Sequence, residues 1–324
     1  MSEKKYSCLK DFLRKHKTIP EKHFTHTALG QPPHSYPGSY CIEEEDLSLF
    51  FNLYNKWVFE ENKECHLTEK HKDISPILID LDLRHSVSDL KRQYDEKFIV
   101  EFLNIYVDKL KKLVPGIHDN NIMGVVMEKD TPNFKNNKGK FKDGIHIVFP
   151  NIVVEPKVQY ILRYQMITDE QVIDMFKKIN TTNSIDDVFD ICVIERNNWQ
   201  MFGSCKPFNQ TYKVTKIYKY HDLKMKKIQN KYSNKDLLKL LSIRNIKTDN
   251  IIKSDMLSDN LEEQYEIIPK IHQVKKKKKV VNRKKKSPIK KNFLEDDDEL
   301  EFIKTIVKIL TPDRAEQYHL WIRL

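Results

Sequence analysis

Two aspartates one residue apart inside an apolar run, Asp80 and Asp82 in SPILIDLDL, are the first residues of this 324-residue chain that could do chemistry. In a strand, side chains alternate, so the pair shares one face with Cα atoms roughly 6.5–7 Å apart. Carboxylates that close repel one another, and beside Ile77, Ile79, Leu81 and Leu83 they are costly unless a cation neutralises them. A pair of Mg²⁺ or Mn²⁺ ions does so, and such sites activate an attacking hydroxyl while stabilising a leaving pyrophosphate. The same pattern also describes a sheet edge carrying two solvated acids that discourage aggregation. On this motif alone both readings stand.

A second element is KDGIHIVFP. Gly144, His146 and Val148 share one strand face, and Gly144 lets another group approach the backbone closely. His146, helped by Lys142, could hydrogen-bond a phosphate; alone it reads equally as a satisfied sheet histidine. The third is DVFDICVIERNNWQMFGSCKP. Asp190, read as part of an apolar strand with Val188, Phe189, Ile191 and Val193, would make a third metal ligand. Asp186 and Asp187 read as caps or surface acids. Arg196, Ser204 and Lys206 supply a guanidinium, a hydroxyl and an ammonium suited to a triphosphate. Trp199 reads as core.

In this order the three elements closely resemble the motifs of the archaeo-eukaryotic primase superfamily. The fit is best to the primase domain of primase–helicases from large nucleocytoplasmic DNA viruses, and next to eukaryotic primase-polymerases. FTHTALGQPPHSYPGSYCI resembles the segment before the catalytic core in those viral proteins, and ILTPDRAEQYHLWIRL the start of the linker domain preceding a superfamily 3 helicase. The resemblance implies a primase-like catalytic core with an RRM-like sheet. It implies two divalent cations held by Asp80, Asp82 and Asp190, with His146, Lys142 and Gly144 on the incoming phosphates. Arg196, Ser204 and Lys206 would complete the triphosphate pocket. Gln200 stands where relatives often carry an arginine, and no zinc-binding cluster accompanies the core, so no zinc is expected.

The elements that must position these residues form an α+β or mixed α/β pattern. Residues 1–70 read as a helical lead-in, with helices over SCLKDFLRKH and EEEDLSLFFNLYNKWVF separated by turn-rich loop. Residues 71–225 alternate strand and helix as the catalytic core. EKFIVEFLNIYVDKLKKL and VQYILRYQMITDEQVIDMFKKI read as helices, NIMGVVME, GIHIVFPNIVV, DVFDICVIE and VTKIYKY as strands, and a turn-linked strand pair surrounds 133–143. A doubly wound sheet is excluded for want of a Gly-rich first turn. Residues 226–294 read as a polar and basic linker, and 295–324 as the start of a domain cut short.

Composition and cysteine usage fit a soluble protein that works inside the cell. The net charge is +10, but 11 basic residues and no acid lie between Lys275 and Lys291; subtracting those 11 from +10 leaves the rest near −1. That tract (Lys275, Lys276, Lys277, Lys278, Lys279, Arg283, Lys284, Lys285, Lys286 and two further lysines) reads as a nucleic-acid contact, a nuclear signal or a solvated linker. The five cysteines form no C-x-x-C, which points to a reducing compartment, at a cytoplasmic viral replication site or in a host nucleus. No run approaches a membrane span, and no Walker-type phosphate loop is present. The expected partners are single-stranded DNA, nucleoside triphosphates and a superfamily 3 helicase, fused or separate. The expected activity is primer synthesis by two-metal nucleotidyl transfer. A non-catalytic DNA-docking module and a metal-dependent nuclease are the alternatives.

Overall fold

Short runs rich in β-branched and aromatic residues, bounded by turns, form two antiparallel sheets in the computed structural model, which describes residues 6–19, 21–30, 37–86, 91–135 and 140–270. The smaller sheet runs in the order β1 (Lys17–Thr18), β3 (Gly38–Tyr40), β2 (His26–Ala28), β4 (Leu67–Glu69) and β9 (Trp199–Gln200). The larger sheet runs β11 (Lys224–Ile228), β10 (Lys213–His221), β6 (Met123–Glu128), β8 (Lys140–Val154) and β5 (Ser75–His85), with β7 (Asn133–Lys135) pairing with β8. The helices are α1 (Leu9–Lys15), α2 (Leu47–Asn55), α3 (Glu96–Leu113), α4 (Pro156–Ile167), α5 (Glu170–Lys178), α6 (Ile185–Val188), α7 (Asn234–Leu241) and α8 (Leu261–Glu266). The architecture is α+β, as the alternation of periods in the sequence indicated.

The large sheet is covered on both faces. The odd-numbered residues of β5, Ile77 to Leu83, meet Phe98, Phe102, Tyr106 and Leu110 of α3 and Phe176 of α5 in the main core. Each such side chain contributes about 1.5–3 kcal/mol when fully buried. The opposite face sets Leu78, Val125, Met127 and Val148 against Trp199 of the smaller sheet and Leu237 and Leu241 of α7. Behind that layer α1 and α2 close a third cluster around Phe12, Phe50 and Tyr54. The catalytic candidates therefore sit on the sheet face turned toward the second layer.

Local chemistry sets the boundaries. Asp95 caps α3 by accepting from the Phe98 amide, and Lys111 and Lys112 lie in its last turn, where they oppose the helix dipole favourably. The helix expected over VQYILRYQMITDEQVIDMFKKI is two helices, because Asp169 accepts from the Gln171 and Val172 amides and starts α5 afresh. Residues 17–40, expected to be lead-in and loop, supply three of the five strands of the smaller sheet. Residues 226–270, expected to be linker, are folded: Leu237, Leu238, Leu241, Ile243, Leu261 and Ile268 are all buried. The basic tract and the 295–324 segment lie outside the described residues. Among the described residues, no helix is long and apolar enough to cross a membrane.

Candidate active site

β5 and β8 pair so that Asp80 lies opposite His146, Asp82 opposite Gly144 and Arg84 opposite Lys142. Three motif residues from one strand and two from another thus meet by register alone. Lys142 Nζ lies 2.8 Å from Asp82 Oδ2. His146 Nε2 lies 3.5 Å from Asp80 Oδ1, outside hydrogen-bonding geometry, and that oxygen is buried with no hydrogen-bond partner among the described residues.

Asp190 reaches the pair differently from the way its sequence suggests. The DVFDICVIE segment is not a strand. It is the short helix α6, one bridge between Phe189 and Leu81, and a 3-10 turn over Ile191–Val193 that Asp190 caps by accepting from the Cys192 amide at 2.9 Å. Ser184 caps α6, and its hydroxyl meets Asp187. Arg163 of α4 donates to the Phe189 carbonyl at 2.9 Å and to the Asp186 carboxylate at 2.7 Å, which pins the segment against the core. The Asp190 amide then donates to the Asp80 carbonyl at 3.0 Å, and both aspartates line one cavity of about 20 Å³.

The electrostatics follow from this crowding. Burial, reinforced by Asp82 and Asp190, pushes the Asp80 carboxyl up to about 7, against the pull of Lys142 and Lys206. Burial, then the charges of Lys129, Lys206 and Lys142, push His146 down to about 3. The two shifts oppose an ion pair, so near neutral pH a neutral imidazole faces Asp80. Lys129, just past β6, is itself lowered by burial, Lys142 and Lys206, against the opposing pull of Asp80 and Asp82. Three ammonium groups therefore act on a cluster of three carboxylates. A buried carboxylate oxygen without a partner beside two more acids is the arrangement that divalent cations stabilise, and hard oxygen donors suit Mg²⁺ or Mn²⁺. The residues present fit that group.

Two other candidates sit elsewhere. Arg196 is exposed, and the contact resolved for its side chain is with Cys192 rather than with the acids. Ser204 is buried, and its hydroxyl binds the Tyr54 hydroxyl at 2.8 Å and the Leu67 amide at 3.1 Å, so it braces β4 instead of lining a triphosphate pocket. The Gln200 side-chain amide donates to the Ser204 carbonyl.

The sequence reading missed Lys129 and Tyr212. The Tyr212 ring stacks on His146 with centroids 3.6 Å apart, and Trp199 flanks the imidazole at 4.7 Å. Lys129 Nζ lies 4.8 Å from the centre of the Tyr212 ring. Lys129 stands one residue past a strand that ends in a buried glutamate, a weak signal. Tyr212 lies outside every motif, and only the tertiary fold brings it to the site.

The outer edge of β5 is occupied along its length. Gln159 accepts from the Leu78 amide, Asp190 donates to the Asp80 carbonyl, Asn183 binds the Asp82 carbonyl and the Arg84 amide, and Thr182 donates to the Arg84 carbonyl. β5 is the terminal strand of its sheet, as the alternative reading of the two acids held, yet it is not an open edge.

Residues 25–218 match the family model described as "C962R protein N-terminal AEP domain". The chain is 34% identical over 185 residues to "Putative helicase L207/L206" of Acanthamoeba polyphaga mimivirus, covering 57% of this chain and 18% of that protein. It is 25% identical over 224 residues to "Putative helicase 184R" of Invertebrate iridescent virus 6, covering 62% of this chain and 22% of that protein. The matched region spans about a fifth of the length of these relatives. With the family match over most of the described fold, and with the first two motifs paired on one sheet and the third packed against the edge of β5, the chain belongs to the C962R-type N-terminal domain family of archaeo-eukaryotic primases.

Proposed function

We propose that this chain is a DNA primase or primase-polymerase module that elongates or starts primers on single-stranded DNA, and that it serves a viral primase–helicase in replication. The reading rests above all on the meeting of Asp80, Asp82 and Asp190 around a buried, unpartnered carboxylate oxygen, with His146 opposite Asp80. Two helicase-named viral relatives, each much longer than the matched region, support the link to a helicase.

The chain's own residues divide the work. Asp80, Asp82 and Asp190 would hold divalent cations, which when bound supply charge neutralisation for in-line attack on a phosphate. Lys142, Lys129 and Lys206 ring the acids with positive charge and draw the triphosphate in. His146, neutral and fixed between Tyr212 and Trp199, offers a hydrogen bond to a phosphate oxygen without adding charge. A primer 3′ hydroxyl oxygen (or that of a first nucleotide) bonds to the α-phosphorus, the α–β bridging bond breaks, pyrophosphate leaves and the hydroxyl proton passes to solvent.

The test is incorporation of labelled nucleotides on single-stranded DNA with Mn²⁺ or Mg²⁺. Products should lengthen, and the Asp80→Ala plus Asp82→Ala variant should make none. Incorporation that survives in that variant sinks the reading. DNA binding without incorporation would indicate a docking module, and shortened DNA a nuclease.

A further inference from the structure

Away from the acid cluster, Glu64, His66 and Cys205 each present one ligand atom, all within 4.8 Å of one another. His66 and Cys205 are buried, while Glu64 approaches from the exposed side. The cluster is built by the backbone: the Cys205 amide donates to the Cys65 carbonyl at 2.9 Å, which ties the turn after β9 to the residues entering β4. His66 Nδ1 lies 2.7 Å from the Cys205 carbonyl. Only a protonated Nδ1 can make that bond, so the neutral ring turns its Nε2 lone pair outward. A backbone carbonyl holding the far nitrogen is how ligating histidines are oriented.

That lone pair faces a second acceptor. Nε2 lies 3.9 Å from Glu64 Oε2, and Cys205 Sγ lies 3.3 Å from Glu64 Oε1 and 3.7 Å from His66 Nδ1, so the thiol must swing toward Nε2 to share an ion with it. Tetrahedral zinc, with bonds of about 2.0–2.3 Å, places its ligand atoms roughly 3.3–3.8 Å apart. The sulfur–carboxylate distance falls in that range and the imidazole–carboxylate distance just outside it, so a small closing movement would seat an ion, and a cation between an imidazole lone pair and a carboxylate turns repulsion into attraction. One sulfur, one nitrogen and one oxygen donor form a borderline set that favours Zn²⁺ over the hard ions suited to the aspartates. We propose that Glu64, His66 and Cys205 bind a single Zn²⁺ ion, with water as the fourth ligand.

On this proposal the chain would hold a zinc ion that its sequence offers no reason to expect. Its ligands lie too far apart to suggest one in sequence: His66 and Cys205 are 139 positions apart. Closing that span fastens the turn that carries Lys206 to the layer behind it. Burial, then Glu64, push the Cys205 thiol up to about 12, so ion binding must displace a proton from sulfur. A second trio, His23, Cys41 and Glu43, is largely exposed and lacks the backbone lock, which makes it the natural control.

The experiment is a Co²⁺ titration of the full chain freed of metal. The expected result is one tight equivalent, a thiolate-to-cobalt charge-transfer band, release of about one proton per ion, and displacement by Zn²⁺. Asp80→Asn plus Asp82→Asn should leave the band intact, separating it from ions at the acid cluster. Cys205→Ser and His66→Ala should abolish it, and Cys41→Ser should not. Glu64→Gln, an exposed change that spares the fold, should weaken binding at least tenfold. Zn²⁺ should raise the unfolding midpoint of the wild type and leave that of Cys205→Ser unmoved. Absence of a thiolate band, a band that survives Cys205→Ser, or one lost with Cys41→Ser overturns the proposal.

Discussion

The Tyr212 hydroxyl stands over Gly144 so closely that a β-carbon at that position has no room, while the Tyr212 ring lies flat on His146. Glycine is required there by the phenol rather than by its own backbone. Gly144→Ala should therefore destabilise the protein by about 1–3 kcal/mol, the usual cost of overpacking. The next ring atom, Cζ, is an acceptable 3.6 Å away. Adding Tyr212→Phe should recover part of the loss, with a coupling of about 0.5–3 kcal/mol in a urea-denaturation double-mutant cycle. Strict additivity would show that the two residues do not touch.

Asp80 makes the site unstable when no ion is bound. Its folded pKa, about 7, is above the ordinary carboxylate value, so the folded state holds a proton that the unfolded chain has lost. The stabilising contribution is present below the unfolded value of 3.8 and is lost as pH climbs through 7. Without metal, Asp80→Asn should melt above the wild type by several degrees at pH 8 and by much less at pH 5. Added Mn²⁺ should narrow the gap at pH 8 by stabilising the wild type alone. Calorimetry at the two pH values decides this.

Asp190 is held by its own amide, and Arg163 holds the adjoining Phe189 carbonyl, so Asp190→Asn keeps the fold. Nucleotide incorporation should fall by about 10²–10³-fold, the range for loss of one group that stabilises transition-state charge, with the unfolding midpoint little changed. Retained turnover would remove Asp190 from the set.

Lys129 should act on His146 through space. Lys129→Ala removes the strongest of the positive charges that hold the imidazole down, so the His146 titration followed by NMR should move upward. The KM for nucleotide should rise with little change in melting temperature. An unmoved titration would place the lysine away from the ring.

Leu238→Ala tests whether the region after 225 is integral. Leu238 is fully buried against the α1–α2 cluster, and its truncation should cost about 2–5 kcal/mol. A true linker residue would cost nothing measurable by the same urea titration.

How much was legible beforehand follows from the range of each interaction. Helix α3 matched its sequence bounds because its apolar face and terminal lysines lie within its own eighteen residues and its cap, Asp95, immediately precedes them. The Asp80–His146 facing was implicit in two strands whose alternation was clear, since register follows from which face is buried. Asp190 was given the wrong local structure, because Val188, Phe189 and Ile191 are apolar for tertiary reasons: they pack on the main core from a helix, a bridge and a 3-10 turn. Ser204 was misassigned for the opposite reason. Its partners, Tyr54 and Leu67, lie well over a hundred residues away, and nothing near it in sequence announces them. Lys235, Lys239 and their polar neighbours concealed three buried leucines, so α7 read as linker.

The occupied edge of β5 also bears on whether the protein stays in solution. The strand that carries two of the acids ends its sheet, and five short-range hydrogen bonds from Gln159, Thr182, Asn183 and Asp190 take up the groups that another chain could otherwise pair with. Delivery of the third carboxylate and closure of the edge are thus one event. A lesion that releases the 182–190 segment, such as loss of Arg163, would leave the site not merely incomplete but adhesive, and its first phenotype would be insolubility.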